Sequence, residues 1–354
     1  MIGLTELYAA AGVDPDEPVR RLARALGEPL APLVFSAAAA EGHPIGARTA
    51  LVLERQRVRA RRYAEALALV RAVANPTVLK GPALARRYPA HLQRPVGDLD
   101  LVVSSEEQLW AAARRLIDGY DAVPSVFTLI RHDGTDHCLI GLDWPSDDPL
   151  SESDFEVEIS TFAYAGDQAA IPMRPGFPSS EPLTQLFAVA EERCQGPFSV
   201  KHVLDCAVLL AAEPDLLAGP AAEEAVTAFR VAPELLELVT LATALSGGRV
   251  PGRLPALAEA ERARRRCAGP SADPALAGGR WSSADNVRFG LLLDRFARPG
   301  TTWHPGGPTP GGELVHTPVG DYLMLTGARV DAADVDHARR LSKSLRTATP
   351  VPGA

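Results

Sequence analysis

The 354-residue chain has little of what usually announces a chemistry. It has no excess of positive charge: 36 Lys and Arg stand against 44 Asp and Glu, a net charge of -8. That balance argues against a long nucleic acid as partner, because binding one needs a basic face to neutralise phosphates. Its four cysteines, Cys138, Cys194, Cys206 and Cys267, are far apart in sequence and form no CxxC pair. Free thiols in a reducing cytosol are therefore expected, rather than a disulfide framework or a zinc site. No stretch reaches the roughly 18 uninterrupted apolar residues of a membrane span. The N-terminus, MIGLTELYAAAGVDPDEP, lacks the basic region and apolar core of a secretory signal. A soluble cytoplasmic chain with no membrane partner is the expectation. Also missing are GxxxxGK[ST], GxGxxG and GxSxG, which removes the P-loop, dinucleotide-binding and serine-hydrolase readings. No repeat of fixed period is present.

What is there is enough apolar content, 46%, to bury the cores of two or three compact units. Residues 1–75 read as an N-terminal helical region, broken by Pro15 and Pro18 and ending in a long helix over 47–74. That helix carries Arg55, Arg57, Arg59, Arg61 and Arg62, either a solvated face or a surface for an anionic ligand or partner. Asn75-Pro76 breaks the pattern. A core over 76–180 follows, with strands predicted at 77–81, 98–104 and 155–161. Between them lie a helix capped by Ser104 or Ser105 and a hairpin about Asp133-Gly134. Residues 181–354 read as a C-terminal helical region with two Gly/Pro-rich loops, at 268–280 and 298–312, a last helix over 332–345 and a frayed end.

The informative stretch is VLKGPALARRYPAHLQRPVGDLDLVV, from Val78 to Val103. Side chains alternate along a strand, so Asp98 and Asp100 share one face while Leu99 and Leu101 take the other. Two neighbouring carboxylates repel and each resists burial, so the pair needs solvent, a basic partner or a cation. FEVEIS repeats the arrangement, with Glu156 and Glu158 on one face and Val157 and Ile159 on the other. If the two strands are sheet neighbours, a third acid joins the first two, and Mg²⁺ takes such oxygens together with those of a phosphate. Upstream, Gly81 ends a strand where backbone can approach a phosphate, and Lys80 supplies a point charge.

These residues carry a resemblance. Lys80-Gly81, then Arg94, then GDLDLVV from Gly97, then FEVEIS, is similar to the bacterial uncharacterised nucleotidyltransferase family of the DNA polymerase β-like nucleotidyltransferase superfamily. KHVLD, from Lys201 to Asp205, resembles a basic residue…aspartate helix motif in that family's C-terminal part. The likeness covers roughly residues 55–210 and is most specific at Asp98 and Asp100. It implies an α+β fold with a small mixed-sheet nucleotidyltransferase core between N-terminal and C-terminal helical regions. It also implies transfer of a nucleoside monophosphate from an NTP to a hydroxyl or phosphate of a small-molecule or peptide acceptor, with Mg²⁺ or Mn²⁺. Asp98, Asp100 and Glu158 would be the catalytic metal ligands, with Glu156 as the alternative third acid. Lys80, Gly81, Arg94, Lys201 and Asp205 would serve the nucleotide. Relatives occur beside natural-product genes, which implies a biosynthetic tailoring role. Three departures stand out: Pro82 follows Gly81 where the superfamily has Gly-Ser or Gly-Gly, Ser160 stands where relatives place a His, and the spacing from Gly81 to Asp98 is longer. They keep two alternatives open, a catalytically silent nucleotide- or partner-binding protein and a protein-AMPylating toxin–antitoxin component.

Overall fold

The computed structural model describes residues 2–150, 152–167, 170–268, 287–325 and 330–348. The first part is helical: α1 (Leu4–Ala11), α2 (Val19–Leu26), α3 (Ala31–Ala40) and α4 (Ala47–Arg71). Then come β1 (Thr77–Leu79), α5 (Gly81–Ala85), β2 (Leu99–Val102), α6 (Glu106–Tyr120), β3 (Val123–His132), β4 (Thr135–Trp144) and β5 (Phe155–Ser160). Helices return as α7 (Glu181–Glu191), a 3-10 turn at Glu192–Cys194, α8 (Val200–Ala212), α9 (Pro220–Phe229), α10 (Ala232–Ser246) and α11 (Leu254–Ala268). The chain closes with β6 (Val287–Arg295), β7 (His304–Thr309), β8 (Gly312–Thr317), β9 (Gly320–Leu325) and α12 (Ala332–Ala348). Among the described residues no helix is long and apolar enough to cross a membrane.

Two compact units divide the chain, one of residues 1–65, 78–99 and 163–281, the other of 66–77, 100–162 and 282–354. The first is helical. Leu7, Leu22, Leu33 and Val34, fully buried on α1 to α3, pack with Tyr88, Leu92, Leu204 and Val208. The N-terminal helices are thereby fixed onto α8 and the segment that follows α5.

The second unit is built on the sheet. Nine strands run in the order β1-β2-β5-β4-β3-β6-β9-β8-β7 in one mixed sheet. The β3–β4 hairpin closes His132 against Thr135. Its two loop residues, Asp133 and Gly134, have φ of 48° and 77°, the pair of positive values that a two-residue type I′ turn needs. Ser105 caps α6, its hydroxyl accepting from Gln108 N–H at 3.3 Å. Leu109, Trp110, Ala113 and Leu116 form the buried stripe of α6, and the Trp110 ring lies 5.7 Å from Phe127 of β3. At the other end α12 buries Ala338 against Leu293, Leu314 and Leu323.

The α+β class expected from sequence stands, but the sheet is larger than expected and four of its strands come from the C-terminal region. The Gly/Pro-rich stretch expected as a loop over 298–312 contains β7 and the turn into β8. Pro305 and Pro308 are tolerated there because β7 is the edge strand, with one side of its backbone unpaired. A register shift between Pro305 and Gly307 absorbs the misfit. Gly312 is required at the turn, since its φ is 154° and a Cβ there would sit 2.0 Å from the Met324 carbonyl oxygen. Of the loop expected at 268–280 only Ala268 is described, as the last residue of α11, and of the frayed end 349–354 lies outside the described residues.

Candidate functional site

The turn from β1 into α5 is the most strained backbone in this part of the chain. Lys80 has φ 48° and ψ -129°, a region that residues with a Cβ rarely enter, at a cost of about 1–3 kcal/mol. Gly81 follows at φ 24°, where an added Cβ would meet the Asp98 carbonyl oxygen at 3.0 Å. Something must hold such a turn, and Gln185 of α7, only 1% exposed, does so. Its Oε1 accepts from Lys80 N–H at 2.7 Å, and its Nε2 donates to the Val78 carbonyl at 2.9 Å. The side-chain amide replaces a neighbouring strand, satisfying backbone groups that would otherwise be buried without partners. Lys80 Nζ meets Glu192 Oε1 at 2.6 Å. Pro82 sits in the first turn of α5, where the N–H it lacks would have had no intrahelical acceptor.

Behind the turn lies an ion pair removed from water. Arg94 (4% exposed) and Asp205 (1% exposed) are joined by Nε to Oδ1 at 2.6 Å and Nη2 to Oδ2 at 2.7 Å. Arg94 Nη1 donates to the carbonyls of Gly81 and Pro95, at 3.0 and 3.1 Å. Tyr88 Oη donates to Asp205 Oδ1 at 2.8 Å. Burial alone would loosen the proton on Arg94, but Asp205 outweighs it and holds the guanidinium charged. Burial, then the charge of Asp205, pushes the Tyr88 phenol well up. Arg94 therefore reaches the turn through the Gly81 carbonyl, as a positioning group. Lys201 lies one turn before Asp205 on α8 and is half-buried; the ion pair of Asp205 is with Arg94 instead.

Asp98 follows Gly97, whose carbonyl accepts from Arg59 Nη2 at 2.8 Å and from Tyr63 Oη. This gives Arg59 a structural task, while Arg57 and Arg61 pair with Glu54. In β2, Leu99 and Leu101 are buried and Asp100 is half-buried, as the alternation predicts. In β5, Phe155, Val157 and Ile159 are buried, Glu158 is half-buried and Glu156 exposed. β2 and β5 are neighbours in the sheet, and Val103 N–H donates to the Ser160 carbonyl at 2.9 Å. On the far side of β5, Glu158 pairs with Gly141 and Glu156 with Asp143. Burial, with Asp154 adding to it, raises the Asp143 carboxyl above its ordinary range. The carboxylates of Asp98, Asp100 and Glu158 are the hard oxygen donors that Mg²⁺ takes. Among the described residues no group of three or more His, Cys, Asp or Glu is arranged to hold a metal ion.

Sequence reasoning missed Gln185, Glu191, Glu192 and Tyr88. Gln185 had a signal, as the lone amide in the apolar run LTQLFAVA. Glu191 had none. Burial pushes its carboxyl up to about 7, against the opposing pull of Gly166 N–H and Lys80.

The other unit encloses an acid of its own. Asp321 is 0% exposed and is met by His316 Nδ1 at 2.8 Å, Arg298 Nη2 at 2.8 Å and the Ser342 hydroxyl. Ser342 donates to Asp321 and not to the imidazole, so the three do not form a nucleophile–base relay. Against this background, comparison of the chain with protein-family models, curated proteins and solved structures returned no match.

Proposed function

We propose that the chain is a Mg²⁺-dependent nucleotidyltransferase. It would move a nucleoside monophosphate from an NTP to a hydroxyl or phosphate of a small-molecule or peptide acceptor, in a natural-product setting. The observation that carries this reading is the Lys80 backbone, φ 48° and ψ -129°. Strain of that size persists where surrounding structure over-determines it, and it clusters at ligand-binding turns. Here Gln185, the Arg94–Asp205 pair and the close approach of Gly81 to Asp98 fix it in place.

In this reading Lys80 and the backbone of the turn at Gly81 would receive the triphosphate. Asp98, Asp100 and Glu158 would hold Mg²⁺, which is usually bound by one or two carboxylates together with substrate phosphates, so a complete protein cage is not needed beforehand. When bound, the ion neutralises charge on the phosphates. Glu158 would take the proton of the acceptor hydroxyl. Arg94 and Asp205 position the turn, and Lys201, half-buried on α8, would add a cation for the nucleotide.

A second reading, a nucleotide-binding protein without transfer, is favoured by the Lys80–Glu192 pair at 2.6 Å, which neutralises the cation meant for phosphate. Incubation with α-labelled and γ-labelled NTPs, Mg²⁺ and a panel of hydroxyl-bearing peptides and sugars separates the two. Label passing from the α position supports transfer. Passage from γ alone overturns it in favour of a kinase, and retention of NTP without passage supports the second reading. Asp98→Asn and Asp100→Asn are expected to abolish passage with unchanged melting, and full activity in both would remove the metal assignment.

A further inference from the structure

Within the helical unit, four elements enclose a cleft of about 390 Å³. The loop of Asp167 and Ile171 forms one wall, the 3-10 turn bearing Arg193 and Cys194 a second, α10 a third and Arg262 of α11 the fourth. The walls are braced against one another. Arg265 grips Glu234 at 2.7 and 2.9 Å and the Arg230 carbonyl at 2.7 Å, and Arg264 donates to the Ala170 carbonyl at 2.9 Å. Asp167 Oδ1 accepts from Ile171 N–H at 2.7 Å. Such bracing gives a pocket formed before any ligand arrives, in the size range of small-molecule sites.

The charges inside are of both signs. Glu237 takes only the Nε of Arg193, at 2.9 and 3.1 Å, so both terminal nitrogens of that guanidinium have no protein acceptor among the described residues. Among the described residues Arg262 has no carboxylate closer than Glu259 at 3.9 Å. A guanidinium with open terminal nitrogens is a fork for a carboxylate. A simple anion would also face Asp167, Glu234 and Glu237, and a simple cation would face the two arginines. A molecule bearing both charges satisfies both sets. Burial, with Glu191 and Asp167 next, pushes the Cys194 thiol up, so it lines the cleft as a small neutral group and not as a nucleophile.

We propose that this cleft binds a zwitterionic small molecule of the amino-acid class, its carboxylate on Arg193 and Arg262 and its ammonium on Glu237 and Asp167. The inference stands independently of nucleotidyl transfer. Calorimetric titration of the full chain at neutral pH tests it, using each of the twenty free amino acids and diglycine, with acetate, methylammonium and inorganic phosphate as part-ligands. Saturable binding of at least one zwitterion is expected, weakened about tenfold or more by Arg193→Gln or Arg262→Gln. Both arginines sit at the solvent-facing rim, so melting temperatures should not change. No saturable binding by any of the zwitterions, affinity unchanged in both variants, or acetate or phosphate binding as tightly as the best zwitterion would each overturn it.

Discussion

Asp205 in the helical unit and Asp321 in the sheet unit are both enclosed acids facing a guanidinium, yet they are used differently. Asp205 is gripped by two nitrogens of Arg94, whose remaining nitrogen turns outward to the Gly81 and Pro95 carbonyls. Asp321 is closed in by Arg298, His316 and Ser342. Burial would raise its carboxyl, but His316, Ser342 and Arg298 together hold it below the usual range. The first network transmits its rigidity to a strained turn, and the second ties β8, β9 and α12 together. Glu191 completes the contrast. It has the Gly166 N–H as donor and feels the charge of Lys80, but burial outweighs both and its carboxyl goes up to about 7. What decides the fate of an enclosed acid is the charge that touches it, more than the depth at which it lies.

The strongest way to break the comparison is to remove a cation. Arg94→Met leaves Asp205 buried with Tyr88 alone, and urea unfolding should show a loss of about 3–5 kcal/mol. Arg94→Met with Asp205→Leu should recover most of it, because no uncompensated charge then remains. A loss under about 1 kcal/mol in the single variant would mean that Asp205 sheds its charge at little cost, and the contrast with Glu191 would fail.

Glu191 sharpens the same point through pH. Its folded carboxyl is raised, from 4.5 to about 7, so between those values the folded chain binds more protons than the unfolded one. Stability therefore falls as pH rises through that window, by about 3 kcal/mol at most, and is flat above it. Glu191→Gln cannot titrate. It should melt like the parent at pH 4.5 and above it at pH 8, and parallel melting curves across that range would remove the desolvated acid from the picture.

How much of this was legible in sequence depends on the range of the interactions. The strand faces of Asp98, Asp100 and Glu158 follow from a period of two, which local sequence displays directly, and burial of Leu99, Leu101, Val157 and Ile159 agrees with it. The Asp133-Gly134 hairpin is equally local. By contrast β7, HPGGPT, has the composition of a loop and becomes a strand only by pairing with β8 at the sheet edge. The support of the candidate site was hidden for the same reason: Gln185 meets Lys80 across 105 residues and Asp205 meets Arg94 across 111. No window of sequence contains both partners. Lys80-Gly81 was readable as a turn, but its strain was not, because φ is set by what the turn packs against.

The smallest expected effect tests the closed network of the sheet unit. Ser342→Ala removes one hydrogen bond from Asp321 while Arg298 and His316 remain, so the loss should be about 1–2 kcal/mol. The sign with pH follows from the depressed carboxyl of Asp321. Its contribution is present above the unfolded carboxylate value and is lost as pH falls through the lower folded value. Taking away Ser342 lets the folded value rise toward the unfolded one, so part of that contribution disappears and acid unfolding begins at higher pH. Circular dichroism followed down from pH 5 reads this shift directly. An unchanged acid midpoint together with a full loss at neutral pH would assign Ser342 to packing of α12 and leave the holding of Asp321 to Arg298 and His316.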